Sequence, residues 1–261
     1  MSEDDFQYTD SAERVGIQEY FRATRTATWG FLMALPLVML YDVGIIWVNM
    51  GRDSQVRISS EGVLKSVFSK LGLTHELVLL GIALIIGIGI IVWERKKRVT
   101  FSTRYPGLII LESIVYAIGL GILVSGITQL LLSPLMMIQE GETHGMATNI
   151  VLSLGAGIYE ELLFRVLIVG GAFLVLRLFF PNRRRLMYVF AAVIGALSFS
   201  AMHHFGAYGD PWALDIFLFR AIFGLVFSVV FLVRGFAVVA WTHALYDVMI
   251  FTGLFSLFGE S

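Results

Sequence analysis

The sequence contains no cysteine among its 261 residues. Disulfides, zinc–thiolate sites and cysteine-nucleophile mechanisms are therefore excluded. Charge is also scarce: 15% of the residues are Asp, Glu, Lys or Arg, against roughly 25% in an ordinary soluble domain. The net charge of −1 gives no basic excess, so no nucleic acid is expected as a partner. The opening MSEDDFQYTDSAERVG is acidic and polar, without the basic stretch and apolar core of a cleavable signal peptide. There is no internal repeat, no low-complexity segment and no HExxH string.

Apolar side chains are abundant instead. Hydrophobic residues make up 57% of the chain and the mean hydropathy is +0.80. A water-soluble fold of this length cannot hide so much apolar surface in one core, whereas a bundle facing lipid does not have to. The expected fold class is all-α, a polytopic membrane helix bundle of about seven transmembrane helices, with the lipid bilayer as its surroundings. A spanning helix needs about 20 mostly apolar residues, and seven segments qualify: 28–49, 74–94, 106–133, 147–180, 186–205, 213–233 and 236–258. A polar tail precedes them, mildly helical over Ile17–Ala27, and the first loop holds a short amphipathic piece at Val63–Leu71. His75 and His144 read as loop residues, as do Glu140 and Glu142.

The basic residues orient the bundle. With seven spans and a cytoplasmic N-terminus, Arg14, Arg22, Arg25, Arg95, Lys96, Lys97, Arg98, Arg104, Arg177, Arg183, Arg184, Arg185 and Arg234 fall on the cytoplasmic side. The opposite side holds only Arg52, Arg57, Lys65 and Lys70, with Arg165 and Arg220 inside spans. That asymmetry predicts a multi-pass protein, of the cell membrane, with its N-terminus in the cytoplasm.

Ionisable groups at membrane depth cost several kcal/mol and are kept only when paired or useful. Three spans carry the richest groups: Glu160-Glu161 with Arg165, His203-His204, and His243 with Asp247. Glu161 and Arg165 are four apart, on one face, and can neutralise each other. Glu160 lies about 100° around the helix and is free to face another neighbour. His243 and Asp247 share a face by the same spacing, and Phe199 would back the His203 imidazole from one turn below. A carboxylate and an imidazole can hold one water and remove its proton as it attacks an amide carbonyl. A second imidazole, its tautomer fixed by a polar partner, can donate to the developing oxyanion.

The string Glu160-Glu161-Leu162-Leu163-Phe164-Arg165 resembles the EExxxR motif of the CPBP family, the CAAX-prenyl proteases and bacteriocin-processing (Abi) enzymes. Phe199-Ser200-Ala201-Met202-His203 resembles its FxxxH motif, and His243-Ala244-Leu245-Tyr246-Asp247 its HxxxN/D motif. The three stand in the family's order on separate spans. The resemblance implies an intramembrane glutamic endopeptidase that needs no cofactor or metal and acts on a membrane-anchored or lipidated protein. It implies that Glu160 and His203 activate water, that His243 and Asp247 stabilise the oxyanion, and that Glu161 and Arg165 support the site, with Phe199 as packing. It divides the chain into a polar tail (1–27), N-terminal spans (28–145) and a catalytic membrane core (146–261). One departure is Asp247, where prenyl-protein proteases of the family carry asparagine. An ionised carboxylate cannot donate a hydrogen bond, so Asp247 is either protonated or merely orients His243.

Two rivals use the same residues. His203, His243 and Glu160 are chemically adequate ligands for a catalytic zinc. A non-catalytic scaffold or proton-coupled transporter also keeps buried Glu and His residues. Asp42, Glu112 and Arg220 read as bundle-stabilising groups able to pair with one another, and Glu112 is also within expected reach of Arg165. His204 reads as an interfacial residue.

Overall fold

The computed structural model describes residues 16–73, 76–97, 99–132, 144–205, 209 and 211–254. The opening tail, His75, Glu140 and Glu142 lie outside the described residues. Helix α1 (16–24) leads into α2 (Ala27–Asn49), α3 (Ser59–Lys70), α4 (Glu76–Glu94) and α5 (Tyr105–Leu132). A long helix, α6 (Met146–Phe179), is followed by α7 (Arg184–Met202), α8 (Leu214–Arg234) and α9 (Phe236–Phe251). No strand occurs among the described residues.

Local chemistry sets the boundaries. The Thr26 hydroxyl caps α2 by accepting from Trp29 N–H, satisfying one of the donors that a helix start leaves free. Pro106 stands in the first turn of α5, where its missing N–H costs nothing. Pro181 follows the end of α6. Gly235 turns the chain between α8 and α9 at φ 80°, a conformation that glycine adopts without a Cβ penalty.

Helices α2, α5, α6, α7 and α8 are long and apolar enough to cross a membrane, and Gly81–Glu94 and Phe236–Phe251 are shorter apolar helices. Only 22–39% of each long span's most apolar window is buried inside the protein. Most of that apolar surface therefore faces outward, as with Leu178 at 80% exposure and Val43 at 70%. A soluble protein would not present such a belt. The chain is an all-helical integral membrane protein, as its composition requires.

Helix α9 is the exception. Every residue from Ala237 to Ala244 is buried, so this stretch of the helix has no lipid face and forms the centre of the bundle. It packs against α2, α5, α6 and α8. Close approach depends on small residues: a Cβ on Gly157 of α6 would lie 2.5 Å from the Ala240 carbonyl oxygen and 2.8 Å from the Ala244 nitrogen. In membranes, small residues let backbones meet at this distance.

Ion pairs fasten one end of the bundle. Glu112 does not meet Arg165; its carboxylate accepts from Arg234 Nη2 at 2.7 Å and from the Tyr20 hydroxyl at 2.7 Å. Arg234 also donates to Thr24 Oγ1 at 3.1 Å and lies over the Phe21 ring at 4.3 Å. Helices α1, α5 and α8 are thus tied together where the chain is richest in basic residues. Burial first, and then the Glu112 carboxylate, hold the Tyr20 hydroxyl protonated well above the ordinary tyrosine range. At the same end, Glu94 is buried and accepts from both the backbone N–H and the hydroxyl of Thr28 at 2.8 Å. A carboxylate at the start of α2 suits the partial positive charge there.

Candidate active site

The helix that carries both glutamates is not a regular α-helix. Over Ala156–Glu160 and Leu162–Val169 it widens into π-helical turns, and the Gly170 N–H reaches back five residues to Arg165 O. Such turns concentrate at functional sites because they re-aim side chains within an otherwise continuous helix. Here they coincide with Glu160, Glu161 and Arg165.

Glu161 is fully buried and has two partners. Its Oε2 lies 3.1 Å from Nε of Arg165, and its Oε1 accepts from Nδ1 of His243 on α9 at 2.6 Å. A carboxylate only accepts, so Nδ1 carries a proton and Nε2 is the ring's other face. His243 Nε2 looks toward Glu160 Oε2 at 3.9 Å and Asp247 Oδ2 at 3.6 Å. Phe223 and Phe227 of α8 stand edge-on to this imidazole, with ring centroids at 5.5 and 5.1 Å.

His203 follows the last turn of α7. Its Nδ1 lies 2.8 Å from the carbonyl oxygen of Phe199, which can only accept, so in neutral His203 the lone pair sits on Nε2. Nε2 faces Glu160 Oε2 at 3.8 Å, beyond a direct hydrogen bond. Both groups can accept, and both can therefore take hydrogens from one water between them. The Phe199 ring supports the arrangement from behind, 4.7 Å from the His203 ring and 4.8 Å from the Arg165 guanidinium carbon. Arg165, 1% exposed, is thus held by a carboxylate on one side and an aromatic face on another.

A cavity of about 140 Å³ opens at Glu160 and His203, with Ser59, Ser60, Phe164, Met202, Phe205 and Arg220 completing its walls. Ser59 and Ser60 belong to α3, the amphipathic helix expected in the first loop, which sequence reading did not connect with the site. Arg220, expected as a bundle-stabilising group, stands in this wall. His204, expected at the interface, is 8% exposed and stacks on Trp212 at 4.4 Å. Tyr41 of α2 anchors α3 by donating to the buried Glu61 carboxylate at 2.5 Å, and Arg57 and Lys65 each approach that carboxylate at 2.7 Å. A larger cavity, about 610 Å³, lies at the opposite end of the bundle among Arg22, Arg25, Glu94 and Arg234 and touches none of these groups.

Seven of the residues singled out in the sequence therefore meet. Glu160, His203, His243 and Asp247 converge from α6, the end of α7 and α9, with Glu161, Arg165 and Phe199 directly behind them. This defines a class: a helical membrane protein with a carboxylate–imidazole site assembled between its spans. Residues 143–249 match the family model of the Rce1-like proteins, the type II CAAX prenyl endopeptidases, and the resemblance read from the three motifs is borne out. No curated protein and no solved structure matches the chain.

Proposed function

We propose that the protein is an intramembrane endopeptidase that hydrolyses a peptide bond in a membrane-anchored or lipidated protein by glutamate- and histidine-activated water. The observation that carries this reading is the placing of Glu160 Oε2 between two imidazole nitrogens, 3.8 Å from His203 and 3.9 Å from His243. A water seated between Glu160 and His203 gives up a proton to them as its oxygen attacks the amide carbon. The tetrahedral oxyanion forms, the C–N bond breaks, and the proton passes from Glu160 to the leaving amine. No covalent acyl-enzyme is needed. Arg165, Glu161 and Phe199 hold the two histidines in place and do not touch the substrate.

Catalysis belongs to 146–261 in this reading, with 28–145 as the supporting spans. Zinc is the rival mechanism. Among the described residues no three His, Asp or Glu side chains form a metal-holding group, and a chelator is expected to leave cleavage intact. The cavity lies at the end of the bundle that carries α3, opposite the Arg234 end. With the basic end cytoplasmic, in the cell membrane, the site opens outward and suits substrates that have left the cytoplasm. A reporter fused after Gly209 is expected to be non-cytoplasmic, and a cytoplasmic signal would reverse this orientation.

The primary test compares membrane proteomes of cells expressing wild type and Glu160→Ala, with protein termini mapped. Unprocessed species that appear in the variant and vanish on complementation support proteolysis and name the substrate. Identical termini with a stably expressed variant would move the assignment to the scaffold or transporter.

A further inference from the structure

The motif resemblance leaves a chemical gap. The position at which the family's prenyl-protein proteases offer an asparagine amide is Asp247, and an ionised carboxylate brings no donor to an oxyanion. His243 has already committed Nδ1–H to Glu161. Arg220 also stands in the cavity wall. Among the donors on the cavity wall, those of the first turn of α3 come from outside the matched segment.

Two independent features meet there. First, α3 runs from Ser59 to Lys70, and its N-cap is Ile58, which makes no side-chain capping bond. A helix start presents N–H groups and a partial positive charge, and so favours negative charge placed before it. Second, Ser60 is 2% exposed, and its Oγ is buried without a hydrogen-bond partner among the described residues, although Ser60 lines the cavity beside Glu160 and His203. A buried hydroxyl is normally paired, and one left over is a cost that calls for an explanation. Tyr41, Arg57 and Lys65 converge on Glu61, the next residue, and so fix the register of this turn.

We propose that the N-terminus of α3, with the Ser60 hydroxyl as its principal donor, receives the carbonyl oxygen of the bond being cleaved. Ser60 is then a catalytic residue supplied from outside 146–261, by the helix that joins α2 to α4. This rests on the proteolytic reading above. The hydroxyl donates and forms no covalent bond: the carbonyl oxygen gains charge as water adds to its carbon, and loses it when the amine departs. A preorganised donor that meets charge only in the transition state raises turnover without tightening substrate binding.

The test uses the full-length protein and the termini found by comparing wild type with Glu160→Ala. Pulse–chase processing is followed for wild type, Ser60→Ala, Ser60→Thr and Glu160→Gln, and each purified protein is melted in detergent. Ser60→Ala is expected to slow processing about 100-fold. Its melting temperature should be no lower than wild type, because the unpartnered hydroxyl is gone. Ser60→Thr, which keeps the hydroxyl, should process within a few-fold of wild type. Wild-type processing by Ser60→Ala beside an inactive Glu160→Gln overturns the α3 proposal alone. A marked fall in the Ser60→Ala melting temperature also overturns it, in favour of a structural role. Unimpaired processing by Glu160→Gln removes the proteolytic reading itself.

Discussion

His243 is hydrogen-bonded through Nδ1 to Oε1 of Glu161 at 2.6 Å, across 82 residues of sequence and between two helices. The second glutamate of the motif is therefore the orienting partner of His243, and it also neutralises Arg165. The two adjacent carboxylates have different tasks because one is sealed among fixed partners and the other faces the cavity.

Glu161→Gln should accordingly behave as a folding lesion. Arg165 would lose the carboxylate that stands 3.1 Å from its Nε, and breaking a buried pair from one side costs about 3–5 kcal/mol. Detergent melting curves should show a large fall for Glu161→Gln and little change for Glu160→Gln, with cleavage lost in both. Equal stability of the two variants would contradict this division of roles.

Phe199→Leu keeps an apolar side chain but removes the flat surface against which Arg165 and His203 rest. A desolvated cation–π contact is worth about 2 kcal/mol, and the melting temperature should fall accordingly. Processing should slow as well, because His203 loses its backing. Phe199→Tyr retains the ring and should lie closer to wild type on both measures.

Gly157→Ala is a steric test of the α6–α9 contact. The new methyl would meet backbone atoms at 2.5 and 2.8 Å, which cannot swing aside as a side-chain end does. The helices must separate, carrying His243 away from Glu161, and the yield of monodisperse protein and its processing should both fall sharply. Gly171→Ala, on the same helix with nothing within 4 Å, is the control. It should be tolerated and slightly stabilising, since glycine inside a helix costs about 1 kcal/mol relative to alanine.

Arg234→Met should destabilise the bundle by leaving the Glu112 carboxylate without its guanidinium, at a cost of about 3 kcal/mol or more. Adding Glu112→Gln to Arg234→Met should recover part of the loss, a coupling that a double-mutant cycle in thermal melts would measure. Strict additivity would mean that the pair contributes nothing as a pair.

The helical spans were legible because lipid demands long apolar runs, and the chemistry was legible because charge in such runs is rare. Glu160, His203 and His243 stand out for that reason alone. The partners of Glu112 were not legible. Helical spacing restricts neighbours on one helix, whereas Arg234 comes from 122 residues away and its approach depends on how α5 and α8 cross. The same holds for Glu161 and His243. Spacing arguments also assume 3.6 residues per turn, and the π-helical turns around Glu160, which pack against α9, depart from it. In the sequence, helix α3 is legible only as a short amphipathic piece of the first loop, at Val63–Leu71. That its first turn closes over the cavity follows from Tyr41 and Glu61, a contact that no periodicity announces.

The buried position of α9 also has a consequence for biosynthesis. His243 and Asp247 lie on α9, which is made after the other described helices and must enter the middle of spans already made. Until it arrives, the earlier helices hold Glu160 and His203 but lack the histidine that meets Glu161. A nascent chain that stops short of α9 thus lacks the assembled carboxylate–imidazole cluster, which is completed only when this helix has been inserted.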